Sequence, residues 1–364
     1  MGNTFVGVGG SGFSVSSPAV VTGTTPKGTM TVNAMTDNGG RVNTSIPVPA
    51  GFQGPMNVRV NVGPVSATAT ATAGAPLSAD PASDAGVRPL TGVKCSVTAD
   101  VDQIPDTGPG DVVCLTGNSS SRLVIKEGGT AQAPIVYSGG GSSTVRGIDV
   151  AADNVVVEGF TSTDAASMGA SLRGNNVTFQ NNTIKHPVNA GDDTDGLRFW
   201  GNSIRIVHNT ITDINDGADC NDDGCGNGPH PDCMQTYYND TNPTSSDITI
   251  EGNRCENAAS QCLIGEGPVL PGEGVNGPGQ SVGWTFYDNY CQTGAVQSVQ
   301  FKDVKNVTVV DNFFDGGNNK AISLAFASTG AHVGGNKLSP RIGKLITFDD
   351  GDEAPGYIGP TPGQ

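Results

Sequence analysis

The chain has 364 residues, with 53 glycines, 23 prolines, 15% charged residues and a formal net charge of −16. A turn-rich composition of this kind belongs to a β protein. The acidic balance excludes a nucleic-acid binder, which needs a basic face, and with no run of about 18 apolar residues no helix inserts into a membrane.

Residues 1–75 alternate apolar with small polar residues, as in GTMTVNAMT and MNVRVNVGPVSATATATA, with Gly and Pro between the runs. This is the pattern of short half-buried strands. The stretch TDNGGRVNTSIPVPAGFQGPMNVRVNVG resembles the second half of bacterial Ig-like modules of cell-surface and phage proteins. Residues 76–94 are rich in Pro, Ala, Ser and Asp and read as a linker.

From residue 95 to about 350 the sequence repeats. VTFQNNTI, IRIVHNTI, ITIEGNRC, WTFYDNYC and VTVVDNFF are each a short alternating strand closed by Asn. The asparagines are Asn182, Asn209, Asn253, Asn289, Asn312 and Asn336, spaced 27, 44, 36, 23 and 24 residues apart. Phe160 takes the equivalent place in the earlier rung VVVEGFTS. The base period is about 22–24 residues, which predicts a right-handed parallel β-helix whose stacked coils bury one continuous core. A leucine-rich repeat is the competing solenoid, but its L-x-x-L-x-L signature is absent and the strands are β-branched. Residues 351–364 are left as a C-terminal tail.

A second strand follows each Asn strand: DGLRFW, DCMQTY, QCLIGE, QSVQFK and KAISLA. Alternation directs Leu197, Phe199, Met234, Leu263, Val299, Phe301, Ile322 and Leu324 inward. Arg198, Gln235, Ile264, Gln300 and Ser323 form one outward column, and Trp200, Tyr237, Glu266, Lys302 and Ala325 the next.

The same register aligns cysteines. Cys233 with Cys262, and Cys255 with Cys291, fall at equal positions of adjacent rungs, about 4.8 Å apart in a parallel stack and within disulfide reach. These two pairs are therefore expected, with Cys220–Cys225 closing an insertion and Cys95–Cys114 pinning the first coil. Buried free thiols are the alternative. Disulfides imply an oxidising location, yet the N-terminus MGNTFVGVGGSGFSV is not a secretory signal. A removed leader, another export route, or release within a virion each reconcile the two.

The long insertions, between Asn209 and Asn253 and between Asn253 and Asn289, flank the second-strand surface. In a solenoid such insertions usually mark the binding face. Trp200 and Tyr237 supply faces for sugar C–H surfaces, and Gln235 and Gln300 supply amides for hydroxyls. For each residue alone, the alternative is a solvated outer position. Asp195, Asp232, Glu266 and His230 are candidate acids and bases. Asp195 and Asp232 open adjacent strands, and paired carboxylates serve glycoside hydrolysis at about 5–5.5 Å or about 6.5–9.5 Å separation. A lyase would instead use Lys302, Arg198 or His230 as base. The alternative for Asp195 is turn capping, since Asp-Gly favours turns. Asp219, Asn221 and Asp223 match the start of a calcium loop, with His230 where the closing Glu belongs. Calcium is the cofactor such a loop would take, a solvated acidic loop being the other reading.

The Asn ladder and the NNVTFQNNTI-type rungs resemble the pectate-lyase-like superfamily of right-handed β-helix proteins. DGLRFWG, HPDCMQTY, IEGNRCEN and STGAHVGGNKLSP look more specifically like β-helix proteins of actinobacteria and their phages, where they are minor tail proteins. The resemblance implies an extracellular or virion-borne, tailspike-like protein. Such a protein would contact host polysaccharide and other tail proteins, form a homotrimer, and bind and in some cases cleave the glycan. A secreted polysaccharide lyase or glycoside hydrolase, and a binding module without turnover, are the alternatives.

Overall fold

The computed structural model describes the chain except residues 1–3, 11, 15–16, 37–41, 49–51, 53, 74–84, 91–93, 189–193, 215–229, 269–280, 317, 351–353 and 364. Residues 4–73 make two antiparallel sheets. Thr4–Gly10 pairs with Val42–Val48, and Gly28–Met35, Pro18–Thr25, Gly54–Val62 and Val65–Ala73 lie side by side in that order. Alternation buries Ala19 and Val21 from one sheet against Ile46 of the other, with Met56 between them. Gly23 leaves room for that methionine: a Cβ there would lie 1.8 Å from Met56 Cε.

Residues 97–349 wind into a parallel β-helix with three faces, of the right-handed sense that parallel crossovers take. Face A carries Val177–Gln180, Arg205–Val207, Ile248–Glu251, Trp284–Tyr287, Thr308–Val310 and His332–Gly334. Face B carries Thr183–Lys185, Thr210–Ile214, Arg254–Ala258, Tyr290–Thr293, Phe313–Gly316 and Lys337–Leu338. The strand Val155–Thr163 bends through both faces. Face C has nine strands, from Leu123–Ile125 through Ile148–Val150, Ala170–Arg173, Leu197–Trp200, Met234–Tyr237, Leu263–Glu266, Gln297–Lys302 and Lys320–Ala325 to Lys344–Asp349. Its inward residues follow the alternation, with Leu197, Met234, Leu263, Val299 and Ile322 stacked in register and fully buried. Aromatic rings fill the middle coils: Phe286 stacks on Phe314 at 6.5 Å, and Trp284 meets Phe301 edge-on at 6.0 Å.

The ladder asparagines hold the corner between faces A and B. The backbone N–H of each of Asn182, Asn209, Asn253, Asn289 and Asn312 donates to Oδ1 of the next ladder Asn at 2.8–3.0 Å. Each Nδ2 in turn reaches a carbonyl one coil back, such as Ile206 O from Asn253 at 2.8 Å. Phe160 starts the column by donating its N–H to Asn182 Oδ1. The residue before each ladder Asn takes positive φ: Asn181, His208, Gly252, Asp288, Asp311 and Gly335. Asn, Asp, His and Gly are the types that tolerate that region.

Three disulfides close among the described residues, as in proteins matured in an oxidising location. Cys95–Cys114 is as expected. The other two correct the stacked pairing: Cys233 joins Cys255 and Cys262 joins Cys291, with Cα atoms 6.1 and 5.7 Å apart. Cys255 and Cys291 do stack in register, but side chains of stacked parallel strands run side by side. A disulfide needs Cβ atoms about 3.8 Å apart, which only side chains meeting across the interior achieve here. Cys220 and Cys225 lie outside the described residues.

Two stretches read as linker and tail also join the solenoid. Gly86 N donates to Gly252 O at 2.8 Å, Val87 N to Thr210 Oγ1 at 3.2 Å and Arg88 N to Asn181 Oδ1 at 3.0 Å, so residues 86–88 run along the coils at the A–B corner. Past residue 353, Ile358 N donates to Ala331 O and Gly363 N to Ile346 O, both at 2.8 Å, continuing the hydrogen bonding of the last coil. No helix among the described residues is long and apolar enough to cross a membrane.

Candidate functional site

The outer side of face C carries two in-register columns. One runs Asp149, Ser171, Arg198, Gln235, Ile264, Gln300, Ser323. The other contains Arg173 beside Trp200, then Tyr237, Glu266, Lys302, Ala325 and Asp349. The insertion containing residues 215–229 connects face B to the start of a face C strand, and the one containing 269–280 connects the end of the next face C strand to face A. They therefore leave from opposite borders of this surface, at the coils of Met234–Tyr237 and Leu263–Glu266.

Asp195 and Asp232 lie one rung apart at the entrance to face C, and both are buried. Asp195 Oδ1 accepts the Asp232 N–H at 2.9 Å, and Asp232 Oδ1 accepts the Gln261 N–H at 2.6 Å. Gln261 Oε1 then receives Gln297 Nε2 at 3.3 Å. The four residues form a second ladder, parallel in logic to the asparagines: each acidic side chain satisfies the turn backbone of the coil after it. Asp195 also forms an ion pair with Arg198, its carboxylate fully buried and the guanidinium nearly so. Such a pair is costly to break, since either partner alone would be a buried charge.

Trp200, expected at the surface, is only 1% exposed. Its Nε1 donates to Tyr237 O at 2.9 Å, Tyr237 meets it edge-on at 5.5 Å, and the Arg173 guanidinium lies 4.0 Å over its ring. Arg173 Nη1 donates to Asn242 Oδ1 at 2.7 Å, so the turn after Tyr237 reaches back two coils and closes over the indole. Trp200 thus supports Tyr237 from below. Tyr237 is half-buried, and Tyr238, which the pattern of alternating strands did not single out, is 43% exposed beside it. The Tyr237-Tyr238 pair in the sequence was the available signal.

Glu266 and Lys302 are partly exposed and paired at 2.6 Å on adjacent rungs. Gln300 Nε2 reaches Ser323 Oγ at 3.4 Å. Gln235 is 8% exposed and its Oε1 has no hydrogen-bond partner among the described residues. His230 is exposed, two residues ahead of Asp232. A network unmarked in the sequence reading continues along the face: the Asp349 carboxylate accepts from Lys320 Nζ at 2.5 Å, from Thr347 Oγ1 at 3.1 Å and from Ser323 Oγ. The calcium-loop residues Asp219, Asn221 and Asp223 lie outside the described residues. Among the described residues no group of three or more His, Cys, Asp or Glu converges as a metal site.

No protein-family model and no curated protein matches the chain. Among solved structures it is similar to an alginate lyase from Paenibacillus sp., at 17% identity and TM-score 0.42, over 69% of this chain and 98% of that one. It is similar to the pectate lyase Pel9A, at 14% identity and TM-score 0.44, over 77% and 82%. It is also similar to a tailspike mutant of E. coli bacteriophage HK620 in complex with a pentasaccharide, at 10% identity and TM-score 0.37, over 72% and 58%. The coiled architecture is established by the chain's own ladders.

Proposed function

We propose that face C binds an extended polysaccharide of a cell envelope, with the protein acting as a virion-borne, tailspike-like component of a tail. The observation that supports the binding face is the run of partly exposed Tyr237, Glu266 and Lys302 on three consecutive rungs, with Tyr238 at its border. Rungs about 4.8 Å apart offer polar and aromatic groups in a line, which suits a linear polymer better than a compact ligand. The tail setting rests on the resemblance of DGLRFWG, HPDCMQTY, IEGNRCEN and STGAHVGGNKLSP to actinobacterial phage proteins. In that setting residues 4–73 would be the Ig-like module that orients the coils, and other tail proteins and a homotrimeric assembly would be its partners. A secreted lyase or hydrolase would carry the same face without the tail.

Cleavage is the second reading. It is favoured by Glu266, the carboxylate of this set that is partly exposed, with Asp195 and Asp232 one rung apart beneath the same face. The deciding experiment incubates the protein with envelope polysaccharide from actinobacterial cells and follows retention, new reducing ends and absorbance of unsaturated uronates. Retention without either product signal is the expected result. Reducing ends alone would establish a hydrolase and point to Glu266, Asp232 and Asp195. Reducing ends with absorbance would establish a lyase and point to Lys302, Arg198 or His230. No retention would remove the glycan reading. Asp232→Asn keeps an oxygen for the Gln261 N–H, so any turnover that survives this change removes Asp232 as acid or base.

A further inference from the structure

Four cations along face C come already matched with carboxylates, while Lys344 stands exposed on the last strand. Arg122 meets Asp149 at 2.7 Å, Arg198 pairs with Asp195, Lys302 meets Glu266 at 2.6 Å and Lys320 meets Asp349 at 2.5 Å. Arg173 has a different commitment, to Asn242 Oδ1 and the Trp200 ring. The pairs recur along the sheet, from the strand Ile148–Val150 to the strand Lys320–Ala325. Between them the outward column is neutral: Gln235, Ile264 and Gln300. The sequence from Thr210 to Asn253, which includes the longest insertion, has no Lys or Arg at all, and the insertion after Glu266 adds Glu273.

A polyanion held along this surface would have to displace these internal carboxylates, one rung after another. It would approach a chain whose net charge is −16 and whose bordering insertions are acidic. Ion pairs in partly buried positions are expensive to strip of one partner, and like charges nearby weaken anion binding further. Conversely, the groups left over suit hydroxyls. Gln235 offers a buried amide whose oxygen is unpartnered among the described residues and can accept from an O–H. Tyr237 and Tyr238 offer ring faces, and Ile264 is an apolar step between the two glutamines.

We infer that the polymer taken by face C is uncharged: a neutral glycan recognised through amides and tyrosines rather than a polyuronate. This rests on the polysaccharide reading above and narrows it. It also bears on chemistry. β-Elimination requires a carboxylate beside the acidic C–H of the sugar, so a neutral polymer leaves hydrolysis as the cleavage available to this site.

The test separates envelope polysaccharide by anion exchange into a neutral and an acidic pool and adds polygalacturonate and alginate as defined polyanions. Binding is measured with calcium present, at roughly 50 and 500 mM sodium chloride. The expected result is retention of the neutral pool with little change between the two salt concentrations, and no retention of the polyanions. In Glu266→Gln, which releases Lys302, polygalacturonate binding should rise about three-fold or more at low salt. Preferential retention of the acidic pool or of either polyuronate by the unmodified protein would overturn the inference while leaving the polysaccharide reading standing. Failure of both pools and both polymers to bind would overturn both.

Discussion

Cys255 stacks in register on Cys291, yet its disulfide runs across the interior to Cys233. Cys291 likewise bonds Cys262 rather than its stacked neighbour. The consequence is that each bridge links the entrance of face C to the face B strand of the following coil, closing one full turn of the helix. Peptide mapping without reduction should recover Cys233 linked to Cys255 and Cys262 linked to Cys291; a Cys255–Cys291 peptide would contradict the structure. Each bridge closes a loop of 22 or 29 residues, so replacing both members of one pair by Ala should cost about 3 kcal/mol in denaturant unfolding.

The asparagine ladder should be the most sensitive polar element of the coils. Asn253→Ala removes the acceptor of the Asn209 N–H and the donor to Ile206 O, both buried. Leaving two such groups unmet costs about 2–4 kcal/mol. Asn336 stands at the end of the ladder and is only partly buried, although it still accepts the Asn312 N–H and donates to Val309 O. Asn336→Ala should therefore cost about half as much. Equal losses at the two positions would show that the column does not act as the buried spine described.

The ladder was readable in the sequence because a period of two within each strand and a nearly constant interval between strands both end on Asn, so register follows without coordinates. The inward residues of face C were readable for the same reason. The disulfide partners were not. Strand register reports which residues stack within one face, whereas Cys233 sits just before Met234 at a corner, where the side chain turns across the core. Trp200 was misplaced because its cover comes from the turn after Tyr237 closing back onto Arg173, a contact 69 residues apart that no local period encodes. Asp195 and Asp232 illustrate an intermediate case: their alignment was visible, but the alignment of Gln261 and Gln297 above them is what marks the row as a ladder.

The tyrosines at the border of face C should dominate binding. Tyr238 is exposed and makes no side-chain hydrogen bond among the described residues, its backbone N–H donating to Glu266 O. Tyr238→Ala should therefore leave melting unchanged and weaken retention of envelope polysaccharide, by about five-fold if the ring stacks on sugar, since aromatic contacts of this kind contribute about 1 kcal/mol. Tyr237→Ala should weaken retention and also lower the melting temperature, because it uncovers Trp200. Undiminished retention in the two variants together would remove this border from the binding face.

The A–B corner predicts a pH dependence with a definite sign. Burial, followed by the charge of Asp288 and opposed by Lys337, pushes the Asp311 carboxyl up to about 6. In the unfolded chain it titrates at the ordinary value near 4. Between these two values the folded protein holds a proton that the unfolded chain has released. Stability from this group is therefore fully present below about pH 4 and is lost as pH rises through about 6. At neutral pH the folded state carries a carboxylate that its surroundings disfavour. Asp311→Asn removes that penalty and keeps a residue suited to the positive φ of 57° at this position. After discounting for partial exposure it should stabilise the protein by about 1–2 kcal/mol at pH 7.5 and by much less at pH 4. Thermal melts of the two proteins across that range provide the check: the difference must grow with pH, and a constant difference, or one that shrinks, would show that the corner does not hold Asp311 as described.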